Sequence, residues 1–193
     1  MVRRDNKLSR RTIILINNRL LLRKMDFIVH LFWTAIVFHS QTPLWIPILF
    51  GAIPDATSWG IFFFQMIASG KLRSTWKEAR HYERSDFLKM PQWLSTLYGA
   101  SHSIFSFAVV FGILTFITGE IFVPALAWGM HILFDIFTHS REFLGTPFLW
   151  PVSDWKFPGF SWGRWWFIVI NWATIIFLIW YLFILKGIPV VLF

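Results

Sequence analysis

Cysteine is absent from this chain of 193 residues, so neither a disulfide framework nor a thiolate metal site can be built. Any metal must be held by His, Asp or Glu. Charge is scarce too: charged residues make up 15% of the chain, hydrophobic ones 56% and aromatic ones 20%. Soluble domains carry about 25% charged residues, so this balance excludes an ordinary soluble domain and places the chain in lipid. Acidic residues are few, 10 against 18 Lys and Arg, for a formal charge of +8. The basic residues concentrate in an N-terminal run (Arg3 to Lys24) and in the stretch Gly70–Gln92. Membrane topology predicts such clustering on the cytoplasmic side, so membrane lipids, not nucleic acid, are the expected partner. No repeat or low-complexity linker divides the chain.

Residues 1–24 alternate short apolar runs, Ile13 to Ile16 and Leu20 to Leu22, with Arg and Asn. They read as a basic amphipathic helix lying in the headgroup region. No small-residue cleavage site follows the first apolar run, which argues for a retained anchor. Residues 25–193 read as one helical membrane domain, an all-α polytopic bundle of about five spans. The expected spans are Asp26–Ser40, Thr42–Ser69, Trp93–Thr118, Ile121–His139 and Trp165–Leu185. The first is short for a bilayer, and Pro54 should kink or break the second. A tight Thr118-Gly119-Glu120 turn should make the third and fourth an antiparallel hairpin. Between Ser140 and Gly163, Pro147, Pro151 and Pro158 exclude a helix, and the apolar residues among them predict an ordered loop at the membrane surface. The positive-inside rule then puts the N-terminus and the Gly70–Gln92 stretch in the cytoplasm and the C-terminus outside, as in a bacterial-type inner membrane.

His131, Asp135 and His139 stand four apart, so on a helix they stack along one face at successive turns. Imidazole and carboxylate ligands at that spacing suit zinc, or manganese, with facing helices completing the shell. Ionisable residues inside a membrane are expensive and mark function by default. Asp55 follows Pro54 where a broken helix should line a cavity, its plainer role being an N-cap for a helix starting at Ala56. His102 lies among small residues that let helices approach closely, and an interhelical hydrogen bond is its plainer role. His30 falls at the same expected depth. His39, at the outer end of the first span, and His81, in the basic stretch, are excluded.

Taken in order, His30, Gly51-Ala52-Ile53-Pro54-Asp55, Ser101-His102-Ser103, His131 to Thr138 and Phe148-Leu149-Trp150-Pro151 resemble the YdjM-like inner-membrane metal-dependent hydrolases, distantly similar to zinc-dependent phospholipase C. The resemblance covers most of the chain after residue 25. It implies a metal site of His30, Asp55, His102, His131 and Asp135, whereas His139 is reached by spacing alone. This chain has Leu97-Tyr98 where the family usually has His-Arg, and Thr57 where it usually has a second Asp. Both departures remove ligands and favour a single metal, with His139 compensating.

The function expected is hydrolysis of a phosphoester of a lipid or lipid-linked substrate by a metal-activated water, with Asp55 and Asp135 as the catalytic carboxylates. Arg141 and Arg164 bracket the Pro/Trp-rich loop as candidate phosphate clamps, their plainer role being snorkelling anchors. A divalent-cation transporter and a non-catalytic subunit with a structural metal are the rivals.

Overall fold

A computed structural model describes residues 25–70, 91–141 and 145–188, and they are helical without a strand. The amphipathic helix expected within residues 1–24, and most of the basic stretch at 70–92, lie outside the described residues. Helix α1 (Met25–Val37) is followed by α2 (Trp45–Asp55), a π-helical turn (Ala56–Gly60) and α3 (Ile61–Ala68). Then come α4 (Gln92–Ser101), α5 (Ile104–Thr118), a 3-10 turn (Val123–Ala125), α6 (Leu126–Thr138) and α7 (Trp165–Ile179), which runs on into a π-helical stretch (Trp180–Leu185).

The polarity of this bundle is inverted. Large apolar side chains cover the outside, with Phe64 72% and Phe116 88% exposed, whereas His30, Thr34, Ser58, Ser101, His102, Ser103, His131 and Asp135 are buried. Water would favour the reverse arrangement, and lipid favours this one.

Among the described residues two helices are long and apolar enough to cross a membrane: Trp45–Ala68, of 24 residues, and Trp165–Leu185, of 21. The bent pair α4 and α5 makes a third if counted as one span. Five full-length spans are therefore not what the helices provide: Phe27–Val37 and Val123–Thr138 are apolar but too short, since 16 residues rise only about 24 Å against a core of about 30 Å.

Two of the expected spans differ internally. Pro54 does not break the second; the helix continues through it, and the irregularity appears just after, as the π turn. Thr57 and Ser58 hydroxyls donate to the carbonyls of Ile53 and Pro54 there, at 2.7 and 2.8 Å. The third span, expected to be continuous, bends by 52° at His102 and Ser103. Ser103 takes an extended conformation, and its hydroxyl accepts from the N–H groups of Phe105 and Ser106, capping α5. The same hydroxyl donates to the Trp150 carbonyl, and the Ile104 N–H donates to Phe148 O at 2.9 Å. Strong local capping chemistry and a distant loop thus outweigh the apolar run that made this segment read as one helix.

The expected hairpin is present. Gly119 ends α5 in the left-handed conformation, φ 74°. Phe107 packs on Gly129, while the Phe122 N–H donates to Thr115 Oγ1 nearer the turn, a pairing that only antiparallel helices make. Helix α7 joins through Trp33 Nε1, which donates to Asn171 Oδ1 at 2.9 Å. Residues 145–163 of the Pro/Trp-rich loop fold under the C-terminal end of α6. The N–H groups of Phe160 and Trp162 donate to the carbonyls of Phe137 and Thr138 at 3.0 and 2.8 Å, satisfying acceptors the helix leaves open.

Gly159 lies so near that helix end that a Cβ would stand 2.5 Å from His139 O and 2.7 Å from Ile136 O. Those neighbours are backbone and cannot swing away, so Gly159→Ala should destabilise the detergent-purified protein by about 1–3 kcal/mol. Gly112→Ala, which meets nothing within 4 Å, should leave the thermal unfolding midpoint unlowered. Equal midpoints for both variants would show that the loop does not pack there.

Candidate metal centre

Four local devices present the candidate ligands. His30 is carried by α1 and Asp55 ends α2, while His102 occupies the bend between α4 and α5. His131 and Asp135 stand one turn apart on α6, and both face inward. Asp55 does not cap a new helix: its backbone is helical, and its side chain makes no capping bond. Its carboxylate is left for the interior.

Asp135 is the hub. Its Oδ1 lies 3.0 Å from His30 Nε2, and its Oδ2 lies 3.2 Å from His102 Nε2 and 3.4 Å from His131 Nε2. Asp55 faces two of the same nitrogens, with Oδ1 3.7 Å from His102 Nε2 and Oδ2 3.9 Å from His131 Nε2. The imidazoles of His30 and His131 stack at 3.9 Å. Two sets of three meet the spacing a metal needs, His30 with His131 and Asp135, and Asp55 with His102 and His131; within each the ligand atoms lie within 4.8 Å of one another. Ligands at 2.0–2.2 Å around a tetrahedral cation stand about 3.3–3.6 Å apart. The observed separations of 3.0–3.9 Å bracket that spacing.

The hydrogen bonds show which ring nitrogens are available. His131 Nδ1 is 2.8 Å from Gly51 O, and His102 Nδ1 is 3.1 Å from Tyr98 O. A carbonyl only accepts, so His131 Nδ1 carries a proton, whereas His102 Nδ1 also lies 3.0 Å from the Ser101 hydroxyl, which can donate or accept. Both Nε2 atoms are buried without a hydrogen bond, and so is Asp135 Oδ1, although carboxylates and imidazoles are close. Imidazole nitrogens and carboxylate oxygens this close in a dry interior call for a positive charge among them, which a proton on an imidazole or a bound metal ion would supply. A histidine that donates its far N–H to a carbonyl is also how proteins orient a metal ligand. The buried His/Asp cluster thus fits a metal ion, without specifying which one.

Close packing supports these contacts. A Cβ on Gly51 would stand 2.4 Å from Thr34 Oγ1, so a glycine is required where α1 crosses α2 beside the carbonyl that orients His131. At the bend, the Trp150 ring lies against Gly99, and Trp128 Nε1 donates to Ser101 O at 2.8 Å. These supports were not found by reading for ligands, since they act through backbone carbonyls. The small residues around His102 were the available signal.

His139 flanks the cluster without joining either set. It is the first residue past α6, in an extended conformation, with Nδ1 3.2 Å from Asp135 O and 3.5 Å from Asp135 Oδ1. The four-residue spacing projected a third helical turn, but the loop capping Phe137 and Thr138 ends the helix first. Arg141 and Arg164 are both exposed and belong to neither set. Arg141 Nε donates to Lys156 O at 2.9 Å, and its guanidinium lies 5.7 Å from the centre of the Trp155 ring, while Arg164 precedes α7. Thr57, where a second acid would extend the shell, spends its hydroxyl on its own helix. No family model matches the chain, and no match is found among curated proteins or solved structures.

His131 belongs to both sets, so His131→Ala should reduce metal affinity by more than the roughly 10- to 100-fold that follows loss of an outer hydrogen-bond partner. Elemental analysis after dialysis against zinc checks this, with His39→Ala as the control that retains metal. Acidification should release the ion, because these ligands bind only when deprotonated. Stoichiometric zinc in the His131→Ala protein would remove the site.

Proposed function

We propose that the protein is a membrane-embedded, metal-dependent hydrolase acting on a phosphoester of a lipid or lipid-linked substrate. The observation that carries this reading is the convergence of three histidines and two aspartates, from separate helices, in the interior of a bundle whose outside is apolar. The resemblance of the motifs around these residues to the YdjM-like hydrolases supports the same reading. Zinc, or alternatively manganese, would be held by His30, Asp55, His102, His131 and Asp135, with His139 alongside. Such an ion supplies Lewis acidity, which makes water nucleophilic near neutral pH.

The two carboxylates have different surroundings. Asp135, with its side chain 3% exposed and set among histidines, holds the cluster together, whereas the Asp55 side chain is 17% exposed. Asp55 is therefore the carboxylate at the accessible edge of the cluster and the one able to act as general base. Arg141 and Arg164 remain candidates for contacting an anionic headgroup from the loop side.

The membrane arrangement that goes with this reading is a multi-pass inner-membrane protein of about five crossings. The two short apolar helices complete the bundle, residues 1–24 rest on the cytoplasmic surface, and the C-terminus is outside. Reporter fusions at Lys24, Glu83 and Phe193 should report cytoplasm, cytoplasm and exterior; a cytoplasmic report at Phe193 would overturn the number of crossings.

The decisive variant is Asp135→Asn. It keeps size and one carbonyl oxygen but removes the charge that attracts a divalent cation. Wild-type protein with added zinc or manganese should turn over a lipid phosphoester and the variant should not, with the fold retained because helix packing and lipid hold the spans. A sharp loss of thermal stability, with no turnover by either protein, would favour a structural metal in a non-catalytic subunit. A change in cation flux across vesicles would favour a transporter.

A further inference from the structure

We infer that the metal centre opens sideways into the hydrocarbon of the membrane, at Asp55, and that it takes an amphiphile already dissolved in the bilayer. This rests on the metal-site reading above.

Depth is the first observation. Asp55 lies within the rod Trp45–Ala68, of 24 residues, one of the two helices long and apolar enough to span. At about 1.5 Å per residue it stands about 15 Å from Trp45 and about 20 Å from Ala68, near the middle of a core of about 30 Å. Exposure is the second. The His102 and His131 side chains are 0% exposed, those of Asp135 and His30 3% and 4%, and that of Asp55 17%. The one accessible edge of the cluster is therefore the edge at mid-membrane depth.

What borders that edge is the third. Ala56 and Gly60, the adjoining residue and the one a π turn away, are both exposed. A Cβ built on Gly60 would meet within 4 Å only Asp55 O and the Ala56 Cβ, atoms of its own rod, so among the described residues no other helix covers this face. An α-helical turn would carry position i+5 round toward a neighbour; the wider π turn keeps Gly60 beside Asp55. The next residues on this rod, Phe63 and Phe64, are exposed and apolar, at 43% and 72%. A hydrocarbon chain can lie against Phe63 and Phe64 while the polar end of the same molecule reaches the Asp55 carboxylate across two positions with little or no side chain. A water-soluble phosphoester would have to cross hydrocarbon to reach the same edge, which the cost of moving charge to that depth opposes.

The absence of cysteine makes the test direct. Ala56→Cys and Gly60→Cys would each be reconstituted in phospholipid vesicles, with Phe116→Cys as the lipid-facing control and Glu120→Cys, in the exposed turn, as the aqueous one. Each would be reacted with an uncharged, bilayer-soluble maleimide and with a permanently charged one. The variants at 56 and 60 should follow the one at 116: labelled by the first reagent, and at least about tenfold more slowly by the second, because charge is disfavoured at that depth. Labelling by the charged reagent as fast as at 120 would mean a mouth open to water. Protection from both reagents would mean a covered face, and either result overturns the proposal. Zinc content of the same variants reports whether the cluster is intact, so a failed lateral opening is distinguishable from a failed metal site.

Discussion

The carboxylate of Asp135 is the constraint around which the interior of the structure is arranged. A lone carboxylate in a helix bundle surrounded by lipid is costly, and it persists only where its charge is compensated nearby. Two helical segments other than its own, α1 with His30 and the bend with His102, face it together with His131, one turn earlier on α6 itself. A metal ion held among these imidazoles, or a proton on one of them, would supply the positive charge. Each of these residues is then held by something that has no metal chemistry of its own, such as the Gly51 carbonyl, the Tyr98 carbonyl or the turn at Ser103.

This explains an otherwise odd distribution of irregular backbone. The π turn after Asp55, the break at His102 and the early end of α6 before His139 all fall at or beside candidate ligands. A regular helix offers one side-chain direction per position, and departures from regularity re-aim side chains that a straight rod would send elsewhere. The long helix without a candidate ligand, α7, contributes a Trp–Asn hydrogen bond and apolar surface and is regular until its last turns.

Much of this was legible in the sequence. The scarcity of charge, the long apolar run at 165–185 and the turn at Gly119 express short-range rules, and the helices follow them. The stacking of His131 over Asp135 is a matter of helical period, so it too could be read directly. His139 could not, because the end of α6 is set by Phe160 and Trp162, more than twenty residues downstream. Nor could the bend at His102: composition made 93–118 one apolar span, and the signal against it was a single serine whose role depends on Trp150. Pro54 misled in the opposite sense, since a proline permits irregularity without fixing where along the helix it appears. The span count was legible only in part, since two helices, or three with the bent pair as one, are long and apolar enough to cross among the described residues. The two short helices are apolar enough for lipid, and only their length, set by the connections at either end, keeps them from reading as full crossings.

The clamp between Ser103 and the loop at 148–150 bears on the order in which the site is assembled. All five residues of the two sets precede position 136, so a chain cut just after Asp135 would contain every one of them. It would lack Phe148 and Trp150, whose carbonyls take the hydrogen bonds that hold the bend carrying His102. In a chain that enters the membrane from its N-terminus, the ligands are therefore present before the geometry that brings them together. The loop is a late fastener: the bend that carries His102 gains these hydrogen bonds only once residues 148–150 have been made and folded back.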